Sequence, residues 1–139
     1  VYILFSSQAA IKDISVFVDY DHSTPFVLAD SILIQQVILN LLLNASESLE
    51  KKLSGFKEIY LKTEVVKDSV CLSVTDNGPG INDKIRSEIF KPFFSTKDSG
   101  LGIGLAICRS IIEDHDGKLD FESNETSGTT FTFNLKLCK

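Results

Sequence analysis

The sequence predicts an α+β fold in which helices pack on one face of a mixed β-sheet. Its 139 residues are 43% apolar and 24% charged, the usual balance of a single globular domain. Segments typical of strands and helices follow the order β-α-β-β-loop-α-β-β, which favours a two-layer sandwich. The pattern contains no internal repeat or low-complexity tract. We therefore expect the whole chain, residues 1–139, to form one domain.

The first predicted elements are a strand and a long helix. Residues 14–19 alternate in polarity and are rich in β-branched and aromatic side chains, as in a half-buried strand. Asp30 is a suitable N-cap for an amphipathic helix that reaches about Leu53, and Gly55 is a suitable stop.

A hairpin and a long loop region come next. Two segments near 58–66 and 70–76 have strand composition and a tight link between them, which predicts an antiparallel pair. Residues 77–102 contain two of the three prolines and several glycines. This region is predicted to be a loop that contains one short helix near 83–90.

The C-terminal part of the chain predicts one more helix and two strands. The helix runs from about Ile103 to His115 and stops at Asp116-Gly117. The strands lie near 118–123 and 129–137, with a turn between them.

Composition excludes several classes of protein. Lys and Arg number 14 against 19 Asp and Glu, so the net charge is −5. The sequence has neither the basic excess nor the basic stripe that nucleic-acid binding proteins usually carry. The three cysteines, Cys71, Cys108 and Cys138, lack metal-ligand or disulfide spacing, which favours a reducing compartment. No continuous apolar run reaches the roughly 18 residues of a membrane span, and the start does not resemble a signal peptide. We therefore expect a cytoplasmic domain without direct membrane contact.

Two asparagines in the long helix are the first candidate site residues. Asn40 and Asn44 are four residues apart and therefore share a helix face. Both have apolar neighbours, among which an unpaired amide would cost about 1–3 kcal/mol. Taken alone, the pair is more readily explained by asparagines that hydrogen-bond to loop backbone.

A second candidate segment, Asp76-Asn77-Gly78-Pro79-Gly80-Ile81, directly follows a predicted strand. Its glycines allow a sharp turn and a close approach to a flat ligand. The Asp76 carboxylate could accept a hydrogen bond from an exocyclic amine. An ordinary Asn-Gly turn is the alternative explanation.

Two further segments are rich in aromatic residues or glycine. The aromatics of Phe90-Lys91-Pro92-Phe93-Phe94-Ser95-Thr96-Lys97 predict a loop packed down on the core, or a hinge beside a mobile cover. Gly100-Leu101-Gly102-Ile103-Gly104-Leu105 opens the second helix, where free backbone N–H groups and the helix N-terminus favour phosphate. The latter segment is neither a Walker loop nor a good dinucleotide fingerprint.

Taken in order, these segments resemble the catalytic ATP-binding domain of sensor histidine kinases, within the superfamily of gyrase-type ATPases, heat-shock chaperones and mismatch-repair ATPases. The N box, first glycine box, F box and second glycine box are matched by residues 40–45, 76–81, 90–97 and 100–105, and Gly128-Thr129-Thr130-Phe131 resembles the closing strand motif. The resemblance extends from about residue 14 to the C-terminus. It implies a Bergerat-type two-layer sandwich, with a mixed and mostly antiparallel sheet packed on about three helices.

The resemblance also implies which residues bind ATP and Mg²⁺. Asn44 would supply an oxygen ligand to Mg²⁺, a hard cation. Asp76 would accept a hydrogen bond from the adenine amine, and Thr129 would brace it through water. Residues 91–101 would form a short lid. The implied nucleotide-binding residues are Asn40, Asn44, Asp76, Gly78, Gly80, Ile81, Lys97, Gly100, Leu101, Gly102, Ile103, Gly104, Leu105 and Thr129.

Asn40 is the residue that separates branches of the superfamily. Its ATP hydrolases and serine kinases usually carry a glutamate there to activate the attacking group, and an asparagine cannot act as a general base. The resemblance therefore implies a histidine kinase in which Asn40 and Asn44 are the catalytic residues. The general base of such a kinase belongs to the acceptor domain. Glu47 and Ser48 depart from the basic and aromatic residues that many members carry, and the proline usual after the last strand is missing.

The function that the resemblance implies is transfer of the ATP γ-phosphoryl group to a histidine on a separate dimerisation domain. One alternative is an ATPase or serine kinase of the same fold, against which Asn40 argues. Another is a nucleotide-binding regulatory module without kinase activity, for which Glu47 and Ser48 leave room.

The phosphoacceptor histidine is expected outside this sequence. His22 lies in a predicted turn, and His115 resembles the structural helix end of the ATP-binding domain. The chain starts in apolar sequence at Val1 and contains no Met, so we expect a fragment of a longer kinase with the acceptor helices upstream. A response-regulator receiver domain would act downstream. Anchoring of the parent protein in the inner membrane is left open.

Overall fold

A computed structural model describes residues 12–92, 104–124 and 126–138 of the chain. A five-stranded sheet has the order β1-β2-β3-β5-β4. Its strands are β1 (Ile14–Asp19), β2 (Lys57–Val66), β3 (Ser69–Asp76), β4 (Leu119–Asn124) and β5 (Gly128–Lys136). β1 runs parallel to β2, and the other neighbouring strands are antiparallel. The predicted α+β sandwich with a mixed, mostly antiparallel sheet is confirmed.

Two α-helices, α1 (Ser31–Glu50) and α2 (Gly104–Asp114), occur in the described part of the chain. The predicted N-cap is confirmed, because Asp30 Oδ1 accepts hydrogen bonds from the N–H groups of residues 32 and 33 at 3.0 and 3.2 Å. The predicted end near Leu53 is wrong. The N–H groups of residues 51 and 52 bond to carbonyls three residues back, which tightens and closes the last turn of α1 at Glu50.

The predicted short helix near 83–90 is present, but it is shorter than predicted and is not an α-helix. Only Asp83–Ile85 forms a helical turn, and it is a 3-10 helix capped by Asn82 Oδ1, which accepts the Lys84 N–H at 2.9 Å. The N–H groups of residues 85, 88 and 91 each bond to the carbonyl three residues earlier, at 2.9 to 3.0 Å. Bonds of that span make tight turns and not an α-helix.

The hydrophobic core lies between the sheet and the two α-helices. Its completely buried side chains come from α1, α2 and the central strands, where alternate residues face the helices. They are Val37, Leu41, Leu42, Leu49, Ile59, Cys108 and Ile112. β3 is the central strand, so its last residue, Asp76, lies in the middle of the sheet between Ile59 of β2 and Thr129 of β5.

α1 is long and apolar enough to cross a membrane by length and composition, with a mean hydropathy of 1.3. The sequence analysis considered only continuous apolar runs and therefore predicted no segment of that length. A mean hydropathy over the helix is higher, because it tolerates the polar residues that interrupt such a run. In the fold, Val37, Leu41 and Leu42 are buried in the core, and the helix also carries Glu47 and Glu50. α1 is therefore the core helix of this domain.

Candidate nucleotide-binding site

A buried carboxylate lies at the carboxyl end of the central strand. Asp76 is only 3% exposed, and its Oδ1 accepts a hydrogen bond from the Gly78 N–H at 2.9 Å. The Ser48 hydroxyl of α1 donates to the same oxygen at 3.5 Å. Burial raises the pKa of Asp76, and hydrogen bonds from Gly78, Thr129 and Ser48 oppose that shift. A carboxylate in this position can accept a further hydrogen bond from a ligand amine.

Hydroxyl groups join Thr129 to the loop that follows β3. Thr129 is buried, and its Oγ1 lies 2.8 Å from the Ser123 Oγ. Ser123 Oγ also accepts the Ile81 N–H at 2.7 Å and lies 3.3 Å from the Gly128 carbonyl oxygen. The last two strands therefore hold the backbone of the loop at Ile81.

The glycines of this loop allow contacts that a side chain would block. A Cβ at Gly78 would lie 2.6 Å from Ser48 Oγ and 2.9 Å from Asp76 Oδ1. Gly80 has a φ of 78°, and a Cβ there would overlap the Asn124 carbonyl group. The loop is thus packed directly against the end of the sheet and the end of α1.

The two asparagines of α1 occupy one half-buried face of the helix, as their spacing predicts. Asn40 Nδ2 donates to the Cys108 Sγ of α2 at 3.6 Å, a weak contact. Burial raises the pKa of the Cys108 thiol, so the sulfur stays protonated at neutral pH. Asn44 lies one turn before Ser48, whose hydroxyl contacts Asp76. The α1 face with Asn44 therefore continues toward the buried carboxylate.

The described residues contain no group of three or more His, Cys, Asp or Glu side chains that could hold a metal ion. Cys71, Cys108 and Cys138 are free thiols, as predicted.

Most of the second glycine box lies outside the described residues. These are Gly100, Leu101, Gly102 and Ile103. Lys97, Phe93, Phe94 and most of the predicted lid also lie outside the described residues. Gly104 and Leu105 form the first turn of α2, which carries the positive end of the helix dipole. A Cβ at Gly104 would meet no atom within 4 Å.

Phe90 fastens the start of the F box to the core. Its ring makes edge contacts with Phe121 and Phe131, at centroid distances of 5.8 and 6.4 Å. The Arg109 guanidinium of α2 lies 5.3 Å from the centroid of the Phe90 ring. The predicted packing of this segment on the core is confirmed for Phe90.

Sequence reasoning missed two hydroxyl groups of this site. Ser123 holds the loop after β3, yet no motif pointed to it. Its signal is positional, because Leu119, Phe121 and Ser123 share the inward face of β4, where a hydroxyl must find hydrogen-bond partners. The sequence analysis noted Ser48 only because many family members carry an aromatic residue at its position. In the structure, the Ser48 hydroxyl contacts Asp76.

Comparison with protein families identifies this arrangement. The family described as histidine kinase-, DNA gyrase B- and HSP90-like ATPase matches residues 29–139. The chain belongs to this ATPase family. The match begins just before α1 and includes every described residue of the candidate site.

Solved histidine kinases share the fold of this ATPase domain. The nucleotide-free catalytic domain of histidine kinase ThkA is 36% identical, with a TM-score of 0.83 over 97% of this chain and 86% of that one. ThkA in complex with the response regulator protein TrrA is 33% identical, with a TM-score of 0.81 over 99% of this chain and 38% of that one. Full-length ShkA in complex with AMPPNP is 27% identical, with a TM-score of 0.82 over 99% and 28%.

A related sensor protein is much longer than this chain. Sensor protein FixL of Bradyrhizobium diazoefficiens is 42% identical over 116 residues, which cover 83% of this chain and 23% of FixL. The chain thus spans less than a quarter of that sensor protein. It has the fold and family of a histidine kinase catalytic domain.

Proposed function

We propose that this chain is the ATP-binding catalytic domain of a two-component sensor histidine kinase. It transfers the γ-phosphoryl group of ATP to a histidine on a separate dimerisation domain. The observation that carries the proposal is the buried Asp76 carboxylate at the end of β3, in contact with Gly78 and Ser48, in a fold shared with histidine kinase catalytic domains. Phosphoryl transfer depends on positioning and charge neutralisation more than on covalent chemistry by the protein.

Asp76 selects adenine over guanine. Its carboxylate accepts a hydrogen bond from the exocyclic amine of adenine, whereas guanine presents a carbonyl oxygen at the same place. Two acceptors that face each other in a buried site lose a hydrogen bond and pay for desolvation. The loop with Gly78, Gly80 and Ile81 lies beside this carboxylate and can approach the base closely.

The chemistry of the site fits Mg²⁺, which accepts a single amide oxygen together with water and phosphate oxygens. We assign Asn44 as the protein ligand. When bound, the ion neutralises charge on the phosphates. Asn40 binds a phosphate or a water of the metal, and cannot remove a proton from an attacking group. The other phosphate contacts are assigned to Lys97 and to the backbone of residues 100–105.

The proposed reaction needs two partner domains besides this one. The acceptor histidine and its catalytic base belong to the dimerisation domain of a longer parent protein, and a response-regulator receiver domain takes the phosphoryl group from there. The solved complex of ThkA with a response regulator protein supports a partner of this class. We place the domain in the cytoplasm, with the parent either soluble or anchored in the inner membrane.

Nucleotide binding tests the assignment of Asp76. Calorimetric titration should show that the wild-type domain binds ADP far better than GDP, and that Mg²⁺ strengthens ADP binding. Asp76→Ala should weaken ADP by about 10- to 100-fold because it removes a buried hydrogen-bond acceptor. Asp68→Ala, in the exposed turn just before β3, is the matched control and should bind ADP normally. Equal affinity of the wild type for ADP and GDP would contradict the proposal.

A further inference from the structure

We propose that Ser123 is a positioning residue that holds Thr129 in place beside Asp76 and thereby strengthens binding of the adenine base. The inference rests on the proposed role of Asp76 in nucleotide binding. Neither the motifs of the sequence nor the known chemistry of the individual boxes assigns a role to Ser123.

Three side chains lie in a row across neighbouring strands. Ser123 of β4 is paired with Thr129 of β5, and Thr129 is paired with Asp76 of β3. Paired residues of antiparallel strands place their side chains on the same face of the sheet. Thr129 and Asp76 are both 3% exposed, so the row runs inward from the edge strand to the buried carboxylate.

The hydrogen bonds around Ser123 give the row a direction. Ser123 Oγ accepts the Ile81 N–H at 2.7 Å, and its own single proton can go to Thr129 Oγ1 at 2.8 Å or to the Gly128 carbonyl at 3.3 Å. The shorter contact has the better hydrogen-bond distance, so the proton is directed to Thr129. Thr129 then accepts from Ser123 and is held beside Asp76, to whose carboxylate the backbone N–H of Thr129 donates.

This chain of hydrogen bonds holds Thr129 where its backbone N–H stabilises an ionised Asp76. Each hydroxyl that donates onward becomes a better acceptor for the donor behind it, so the Ile81 N–H, Ser123 and Thr129 reinforce one another. Arg86 holds the outer side of the edge strand, because its guanidinium donates to the Ser123 carbonyl oxygen at 2.8 Å. Without the Ser123 hydroxyl, the Ile81 N–H loses its acceptor and the Thr129 hydroxyl loses the partner that holds it.

The test is ADP affinity in a set of hydroxyl variants. Ser123→Ala should weaken ADP by about 5- to 10-fold, the effect of one hydrogen bond. Ser123→Thr keeps the hydroxyl and should stay within about twofold of the wild type. Thr130→Val is the matched control, because the hydroxyls of Thr130 and Thr75 form a similar pair at 2.9 Å on the next residues of β5 and β3, which face the other side of the sheet. It should leave ADP affinity unchanged.

A double-mutant cycle separates positioning from general support of the fold. If Ser123 acts through Thr129, Ser123→Ala should add less than about a twofold loss to Thr129→Val. Unchanged ADP affinity in Ser123→Ala, or fully additive losses in the double variant, would overturn the inference. Thermal melts check folding, and Ser123→Cys, of similar size, replaces Ser123→Ala if that variant does not fold. Failure of the proposed function would look different, because the wild type itself would then not prefer ADP to GDP.

Discussion

At the scale of single residues, the burial of Asp76 has a consequence for stability. Burial raises its pKa above the ordinary value of 3.8, since the ionised carboxylate is less well solvated in the fold than in water. Between 3.8 and the raised pKa, the folded chain keeps a proton that the unfolded chain has released. The contribution of Asp76 to the free energy of unfolding is therefore largest below that range and falls as pH rises through it.

Asp76→Asn should remove this dependence on pH. The amide cannot ionise, so the free energy of unfolding of the variant should fall less than that of the wild type over the same range. Chemical denaturation of both proteins without nucleotide, from about pH 3 to about pH 8, measures the difference. Asp68→Asn, the same substitution at an exposed turn residue, serves as the control. Parallel curves for Asp76→Asn and the wild type would contradict the assigned effect of burial.

Gly128 is a second residue whose identity the site requires. Its φ of 92° is strained for any side chain, and a Cβ there would overlap the carbonyl group of Asp76. Gly55 has a similar φ of 86°, but a Cβ would meet only the flexible Lys52 side chain, at 3.7 Å. Gly55→Ala should cost about 1 kcal/mol of stability from backbone strain, and Gly128→Ala distinctly more because the main chain must also shift. Equal losses in denaturation experiments would show that the overlap is relieved without cost.

At the scale of elements, Asp30 fixes the start of α1 and links it to α2. Its carboxylate caps α1, and its own N–H donates to His115 Nε2 at 3.1 Å. The other ring nitrogen of His115 lies 2.7 Å from the Ile111 carbonyl oxygen. Both nitrogens of His115 are therefore engaged in holding the end of α2 against the start of α1, a structural role that agrees with the sequence-based interpretation.

Asp30→Ala should lower the free energy of unfolding by about 1 kcal/mol, the usual cost of losing an N-cap. Asp114→Ala is the control. It removes an exposed acid from the last residue of α2, where a negative charge opposes the helix dipole, so it should be neutral or slightly stabilising. Thermal melts of both variants provide the comparison. A loss in Asp114→Ala as large as that in Asp30→Ala would contradict a capping role.

At the scale of the whole molecule, the sequence predicted features that depend on local or periodic patterns. The succession of strands and helices along the chain, the hairpin and the Asp30 cap follow from alternation, turn residues and capping chemistry within a few positions. The end of α1 and the turns after Asn82 were not predictable, because bonds spanning three and four residues compete closely there. Ser123 was missed because its partners are contributed by two other segments of the chain.

The candidate site also contains features that the sequence predicted and features that it did not. Asn40, Asn44 and Asp76 were predicted from motifs, and the structure puts the two asparagines on one helix face and Asp76 at the end of the central strand. Their roles toward ATP and Mg²⁺ stay predictions. The contact of the Ser48 hydroxyl with Asp76 was not predicted, because it depends on the packing of α1 against the end of β3, which no local pattern specifies.

Phosphoryl transfer between separate polypeptides tests the central claim most directly. The domain is incubated with labelled Mg-ATP and with a separate polypeptide that carries the acceptor helices of the parent kinase. We expect label on a histidine of the acceptor polypeptide, none on this chain, normal transfer by Asp68→Ala and no transfer by Asn44→Ala. Label on His22 or His115, or rapid ATP hydrolysis by the domain without transfer to the acceptor, would contradict its assignment as a histidine kinase catalytic domain.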